Sequence, residues 1–217
     1  GCEELDADTS CTSGFSGIGQ TWSKPIGGFV AGYTNGEDEP QLVLAFGGGF
    51  DDCLNADVAD YPDAGCNAAK GTGVYILDAI TGELLTLLET DAPVITDVVP
   101  IDINFDDRID FLYVADVGGS VYRINFVTMS QADPESGIGA LAKEDWSIEK
   151  IAYTDTSSLR FYNAPAAGAL QGQIVVAIGS GDRERPLEVN YPYASNVQNR
   201  FYLLIDEPYK TIVDSNE

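Results

Sequence analysis

Apolar positions along this chain come in short runs rich in Val, Ile, Leu, Tyr and Phe, and clusters of Gly, Asp, Asn and Pro cut the runs apart. Apolar residues at helical spacing are scarce, so the pattern predicts β-strands almost throughout. The chain also aligns with itself. "KPIGGFVAGYTNGEDEPQLVLAFGGG" leads to "GVYILDAITGELLTLL"; "APVITDVVPIDINFDDRIDFLYVADVGG" leads to "SVYRINF"; "APAAGALQGQIVVAIGSGD" leads to "NRFYLLID". Each unit opens with a proline, Pro25, Pro93 or Pro165, which suits the first residue of a strand, where no ladder donor is required. Two apolar strands follow, and a third carries an aromatic: Tyr75, Tyr122 or Tyr202.

Three strands and an expected fourth, repeated, predict an all-β chain made of β-propeller blades. The prolines stand 68 and 72 residues apart, and a blade takes about 40–50 residues. The excess falls in loops at 47–72, 127–146 and 180–199. In the middle unit the second and third strands are joined tightly through Val117–Ser120, with Gly118 and Gly119 at the turn. Residues 93–126 are therefore expected to form three consecutive antiparallel strands, with 110–115 paired to 120–126. Because a closed propeller takes about four blades or more, three units predict a partial one. Its blades would lie near 22–90, 91–154 and 158–217, preceded by an N-terminal segment at 1–21. The alternative is a small propeller that residues 1–21 complete.

Charge narrows the function classes. Acidic residues number 35 against 11 basic ones, a formal charge of −24 in 217 residues. Nucleic acid is an unfavourable partner for such a chain, since phosphate binding runs on Lys and Arg, and so is an anionic lipid surface. There is no histidine, which excludes His-based triads and His-ligated zinc. No run of about 18 apolar residues predicts membrane insertion. The start, "GCEELDADTSC", reads as a mature or trimmed segment of a longer exported protein. Cys2, Cys11, Cys53 and Cys66 are an even count without CxxC spacing, the pattern of two disulfides in an oxidising compartment. Three connectivities are open. We expect Cys53–Cys66 within their Gly/Asp/Asn-rich stretch, leaving Cys2–Cys11; free buried thiols are the alternative.

"TWSKP", "LVLAFGGGFDD", "GVYILDAITGELL", "DINFDDRID" followed by "FLYVADVGGSVYRINF", "VVAIGSGDRERPL" and "NRFYLLID" together resemble the C-terminal propeller of the PilY family, the type IV pilus assembly proteins and tip adhesins. The likeness runs in order through most of residues 20–207. It implies a secreted, non-catalytic, extracellular or outer-membrane-associated protein at or near the pilus tip, and a sevenfold propeller of which this chain is the last part. It also implies partners: minor pilins or other tip subunits, the rest of the propeller, and host or abiotic surfaces. In that family an EF-hand-like calcium loop occupies the place of "DINFDDRID".

That loop sets Asp102, Asn104, Asp106 and Asp110 at positions 1, 3, 5 and 9, with the Arg108 carbonyl at 7. These are hard oxygen donors at the spacing of an EF-hand's first part, which suits Ca²⁺. Position 6 is Asp107 rather than Gly, and position 12 is Tyr113 rather than Glu, so the expected site is a five-residue cage on a β-hairpin, completed by water. The bland alternative is an acidic turn whose Asp side chains bond their own backbone. The other motifs are less pointed. Asp51, Asp52, Asp57, Asp60 and Asp63 fit no ligand spacing and read as a solvated loop. The stretch with Arg183, Arg185, Tyr191 and Tyr193 divides evenly between a binding loop and one packed on its blade. "GFSGIG" and "AAKGTG" match no phosphate-binding pattern.

Three functions follow for comparison. The first is a calcium-controlled adhesion and pilus-assembly module, acting on pilus extension and retraction. The second is a quinoprotein-like dehydrogenase, which "YILDAITGELL" echoes; such enzymes typically stack their quinone between a Trp and a disulfide of adjacent cysteines, and no adjacent cysteines occur here. Trp22 and Trp146 both lie in blade-like contexts. The third is a generic extracellular binding propeller of the lectin or matrix type. We expect the first, with no catalytic residues.

Overall fold

A computed structural model describes residues 12–51, 70–154, 159–183 and 197–210. Cys2, Cys11, Cys53 and Cys66, and with them both expected bridges, lie outside the described residues. So do Asp52, Asp57, Asp60, Asp63, Arg185, Tyr191 and Tyr193.

Thirteen strands make up the described fold, with no α-helix among the described residues. They are β1 (Ile26–Thr34), β2 (Pro40–Gly47), β3 (Thr72–Asp78), β4 (Leu84–Pro93), β5 (Val99–Ile101), β6 (Phe111–Ala115), β7 (Ser120–Asn125), β8 (Val127–Ser130), β9 (Asp133–Ala140), β10 (Ser147–Tyr153), β11 (Ala166–Leu170), β12 (Gln173–Gly179) and β13 (Phe201–Asp206). They form four antiparallel sheets, none of them closed. The orders are β1-β2-β3-β4, β5-β6-β7-β10, β11-β12-β13 and the small hairpin β8-β9.

The middle hairpin is the one the sequence predicts. Phe111 pairs with Asn125, Tyr113 with Arg123 and Ala115 with Val121, and β5 completes three consecutive antiparallel strands. Gly119 is required at the turn, where φ is +91° and an added Cβ would lie 2.3 Å from Thr154 Oγ1. Pro25 and Pro165 directly precede β1 and β11, as expected. Pro93 does not open the middle unit. It ends β4, opposite Thr72 on the outer edge of the first sheet, a place that also makes no demand for a ladder donor. The 127–146 insertion carries the β8–β9 hairpin and a short 3₁₀ turn at Lys143–Asp145, which strand patterning alone did not predict.

Alternation along β6 explains why "FLYVA" reads as one continuous apolar run. Leu112 and Val114 enter a core with Val30, Val43, Val74 and Ile76 of the first sheet. Phe111, Tyr113 and Ala115 enter a second core with Ile174, Val176 and Ile178 of the third. The middle sheet is therefore packed on both faces, and every residue of β6 and β7 is buried. Each large side chain so buried contributes about 1.5–3 kcal/mol. The outer faces of the array are apolar but open. Phe201, Leu203 and Ile205 are exposed on the third sheet, and Leu42, Leu44 and Phe46 are half-buried on the first.

Asp116 ties the turn together from inside. Its Oδ1 accepts from Ser120 N at 2.9 Å and its Oδ2 from the Tyr122 hydroxyl at 3.0 Å. The residue is fully buried. Burial pushes its carboxyl up to about 6, and nearby Asp91 adds to the rise, against the hydrogen bonds from Ser120, Tyr122 and Ala92. A carboxyl raised in the folded chain keeps its proton where the unfolded chain, at about 4, has lost it. Stability therefore falls as pH rises from about 4 through 6. Asp116→Asn should flatten this slope. Between pH 4 and 7 the wild type is expected to lose on the order of 2 kcal/mol more than the variant in urea denaturation. Equal slopes for the two proteins would refute this. Asp110 shares the pH window, so the difference between the two proteins is the readout.

Candidate metal centre

The loop at 102–110 joins β5 to β6 and is pinned at both ends. Ile101 pairs with Phe111, Asp110 N donates to Ile101 O at 2.9 Å, and Phe126 N donates to Asp110 O at 3.0 Å. A further bond from Ile109 N to Phe29 O, at 2.7 Å, ties the loop to the first sheet. Between these anchors the chain winds around the side chain of Asp102. Its Oδ1 accepts from Phe105 N at 2.6 Å and Asp106 N at 3.2 Å, and its Oδ2 from Asp107 N at 2.9 Å. Asn104 Oδ1 accepts from Asp106 N at 3.2 Å, and Asp106 Oδ1 from Arg108 N at 3.0 Å. Asn104 Nδ2 reaches Asp106 Oδ2 at 3.3 Å.

Two residues turn left-handed to make this winding possible, Phe105 at φ +60° and Asp107 at φ +66°. The second matters for the comparison with EF-hands, where glycine serves the sharp turn at position 6. Asp tolerates that conformation better than most residues, so the departure in sequence is no departure in backbone.

Asp110 differs from the other three. It is only 1% exposed, and its Oδ2 accepts from Ile103 N at 2.9 Å. Burial pushes its carboxyl up to about 6; the charges of Asp106 and Asp102 add to the rise, and the N–H groups of Ile103 and Asn104 oppose it. Asp102, Asn104 and Asp106 are thus drawn into one bonded turn, with Asp110 beneath them. Arg108 is half-buried at position 7. Among the described residues no three acidic side chains converge as a ready cage; the carboxylates face backbone N–H groups instead. The donor chemistry still fits a hard cation, because the set is all oxygen and the buried carboxylate has acidic neighbours.

The remaining predicted features lie elsewhere. Asp51 accepts from Lys70 N at the base of the 52–69 insertion. Arg183 sits over the Trp22 ring at 5.5 Å, and Trp22 stacks on Phe50 at 4.6 Å. Trp146 is a core residue, edge-on to Phe126 at 4.9 Å and Tyr33 at 6.0 Å. Sequence patterning passed over Arg123, which is 2% exposed and is bonded to Asp206 at 2.7 Å. The signal available was a single cation inside the apolar strand "SVYRINF".

No family model matches the chain, and no curated protein matches it in sequence. By structure it is similar to the Pseudomonas aeruginosa PilY1 C-terminal domain, seen in a crystal structure, with a TM-score of 0.53 and 15% identity. The match covers 76% of this chain and 33% of that one, so the chain spans about a third of that structure's length. A likeness at this identity speaks for a shared fold.

Proposed function

We propose that the chain is part of a β-propeller from a PilY-type protein of the type IV pilus, and that it is a non-enzymatic module with Ca²⁺ in its 102–110 loop. Asp102, Asn104, Asp106, the Arg108 carbonyl and Asp110 would hold the ion. The ion would supply positive charge among carboxylates that otherwise repel, and so fix the turn between two strands of the middle sheet. The observation that carries this reading is the left-handed Asp107 at the sixth place of a loop wound on Asp102. It gives the oxygen spacing a backbone suited to a cation.

Three sheets packed in series, each end face apolar, support the propeller architecture. Stacking of this kind, with Phe201, Leu203 and Ile205 left open on the third sheet, favours a further sheet against that face. The likeness to the PilY1 C-terminal domain and the order of motifs favour a place among exported proteins of the pilus tip or outer membrane, with minor pilins or other tip subunits as partners. Among the described residues no helix is long and apolar enough to cross a membrane. In this reading calcium biases pilus extension against retraction by ordering a surface that partners contact.

Isothermal titration tests the core of the proposal. One calcium site is expected, with Kd roughly 10⁻⁶ to 10⁻³ M, weaker than buffer EF-hands because no bidentate Glu closes the set. Absence of binding at 10 mM calcium (about ten times the weakest expected Kd) would remove it.

A further inference from the structure

The 102–110 loop stands as a ridge between two clefts. On one side Ile103, Phe105, Ile138, Ala169 and Leu170, together with the polar Asn104 and Gln171, line a mostly apolar cleft of about 360 Å³. Its walls come from three separate elements: the loop, the β8–β9 hairpin and the β11–β12 turn. On the other side Phe29 and Pro40 lie against Asp106, Asp107 and Arg108. Phe105 is 82% exposed and Leu170 58%. Phe105 also has a left-handed backbone, an uncommon conformation for a bulky residue, and one that concentrates at ligand clamps and switch regions. A loop selected only for a cation has no use for an aromatic there; a polar residue or glycine would serve the turn at less strain.

We propose that the ridge is a docking surface for an extended partner segment carrying an aliphatic or aromatic side chain beside a basic one. The apolar side chain enters the cleft of Ile103, Phe105, Ile138 and Leu170, and the basic one meets Asp107. Charge complementarity selects this occupant. Asp107 is exposed and is not one of the proposed ligands, so its charge stays available when a cation sits in the loop. The chain as a whole, at −24, repels acidic segments. Buried aromatic anchors with a charged rim are the usual source of interface energy. The proposal names the partner surface of the same loop and so rests on the reading above. Peptide binding and calcium binding are therefore measured separately, and either can fail alone.

The probe is a fluorescein-labelled 12-residue peptide of alternating Lys and Leu, followed by fluorescence polarisation in 1 mM calcium. Controls replace Leu by Ser, or Lys by Glu. The Lys/Leu peptide should bind at least tenfold tighter than either control. Phe105→Ala and Leu170→Ser should each weaken it about tenfold, the latter with calcium affinity unchanged, and Asp107→Asn should weaken it severalfold. Leu170→Ser lies outside the loop and decides the matter if Phe105→Ala disturbs the loop itself. Equal binding of the Lys/Ser peptide would show bulk charge to be the cause and overturn the proposal. So would Lys/Leu binding that neither Phe105→Ala nor Leu170→Ser weakens. Loss of calcium binding by the wild type with peptide binding retained would remove the metal and leave the docking surface.

Discussion

Asp206→Ala is expected to destabilise the chain by about 3–5 kcal/mol, because it strands a buried charge. Arg123 is 2% exposed, and its guanidinium is committed in three directions. Nη1 reaches both Asp206 oxygens at 2.7 Å, Nε donates to Asn125 Oδ1 at 2.7 Å, and Nη2 donates to Glu149. The Tyr113 hydroxyl donates to Asp206 Oδ2 at 2.6 Å. Burial, and then the charge of Asp206, hold that hydroxyl far above the ordinary tyrosine range. Asp206 belongs to β13 and Arg123 to β7, so the network fastens the third sheet to the middle one. Removing Asp206 leaves Arg123 with Asn125 and, as its one remaining carboxylate partner, Glu149, whose side chain is 43% exposed, and takes the acceptor from a buried hydroxyl. Glu149→Ala should cost no more than about 1 kcal/mol, as for other partly solvated pairs.

The contrast between these two carboxylates is the measurement. In thermal denaturation Asp206→Ala should lower Tm by roughly 10 °C, and Glu149→Ala by no more than about 4 °C. Arg123→Met with Asp206→Leu and Tyr113→Phe should recover most of the loss, since a packed apolar replacement of a buried pair is often close to neutral. An Asp206→Ala shift as small as that of Glu149→Ala would show that the network contributes little to holding the sheets together.

The network also marks where sequence reading stops. Strands and hairpins declare themselves locally: "FLYVADVGGSVYRINF" contains both partners of the β6–β7 ladder and the glycine its turn requires. The oxygen spacing of "DINFDDRID" is equally local. What joins Arg123 to Asp206 is the packing of one sheet on another across 83 residues, and no periodicity records which face of β13 will meet β7. Pro93 teaches the same lesson on a smaller scale. A proline without a donor fits the start of one strand or the edge end of another, and only the pairing with Thr72 decides. Within the loop, spacing indicated which residues carry oxygen but not where those oxygens point. Asp102 bonds three N–H groups, while Asp110 turns inward under Ile103. The exposure of Phe105 goes with the left-handed backbone that the winding imposes, which no spacing records.

Asp110→Ala is expected to abolish calcium binding while leaving the strands intact, and Asp110→Asn to do so with even less disturbance. Asp110 is the member of the set that cannot be replaced by movement of its neighbours. Its backbone is bonded on both sides, to Ile101 and Phe126, and its side chain is buried. Asp102 and Asp106, by contrast, sit on a turn open to solvent. Without a cation the three carboxylates repel. At about 5 Å in water each pair costs about 0.8 kcal/mol, and salt screens part of it. Asn at 110 keeps an oxygen for Ile103 N–H and removes the charge, so in EDTA that variant should melt at or above the wild-type temperature. Calcium reverses the order. At one hundred times Kd, binding stabilises the wild type by about 2.7 kcal/mol, a rise in Tm of roughly 5–10 °C. The variants should show no rise. A wild type that gains nothing from calcium, or an Asp110→Asn variant that gains as much, would mean the loop is an acidic turn satisfied by its own backbone. If the shift appears in the wild type alone while pilus extension and retraction are the same with and without Asp110, the ion holds a turn and regulates nothing.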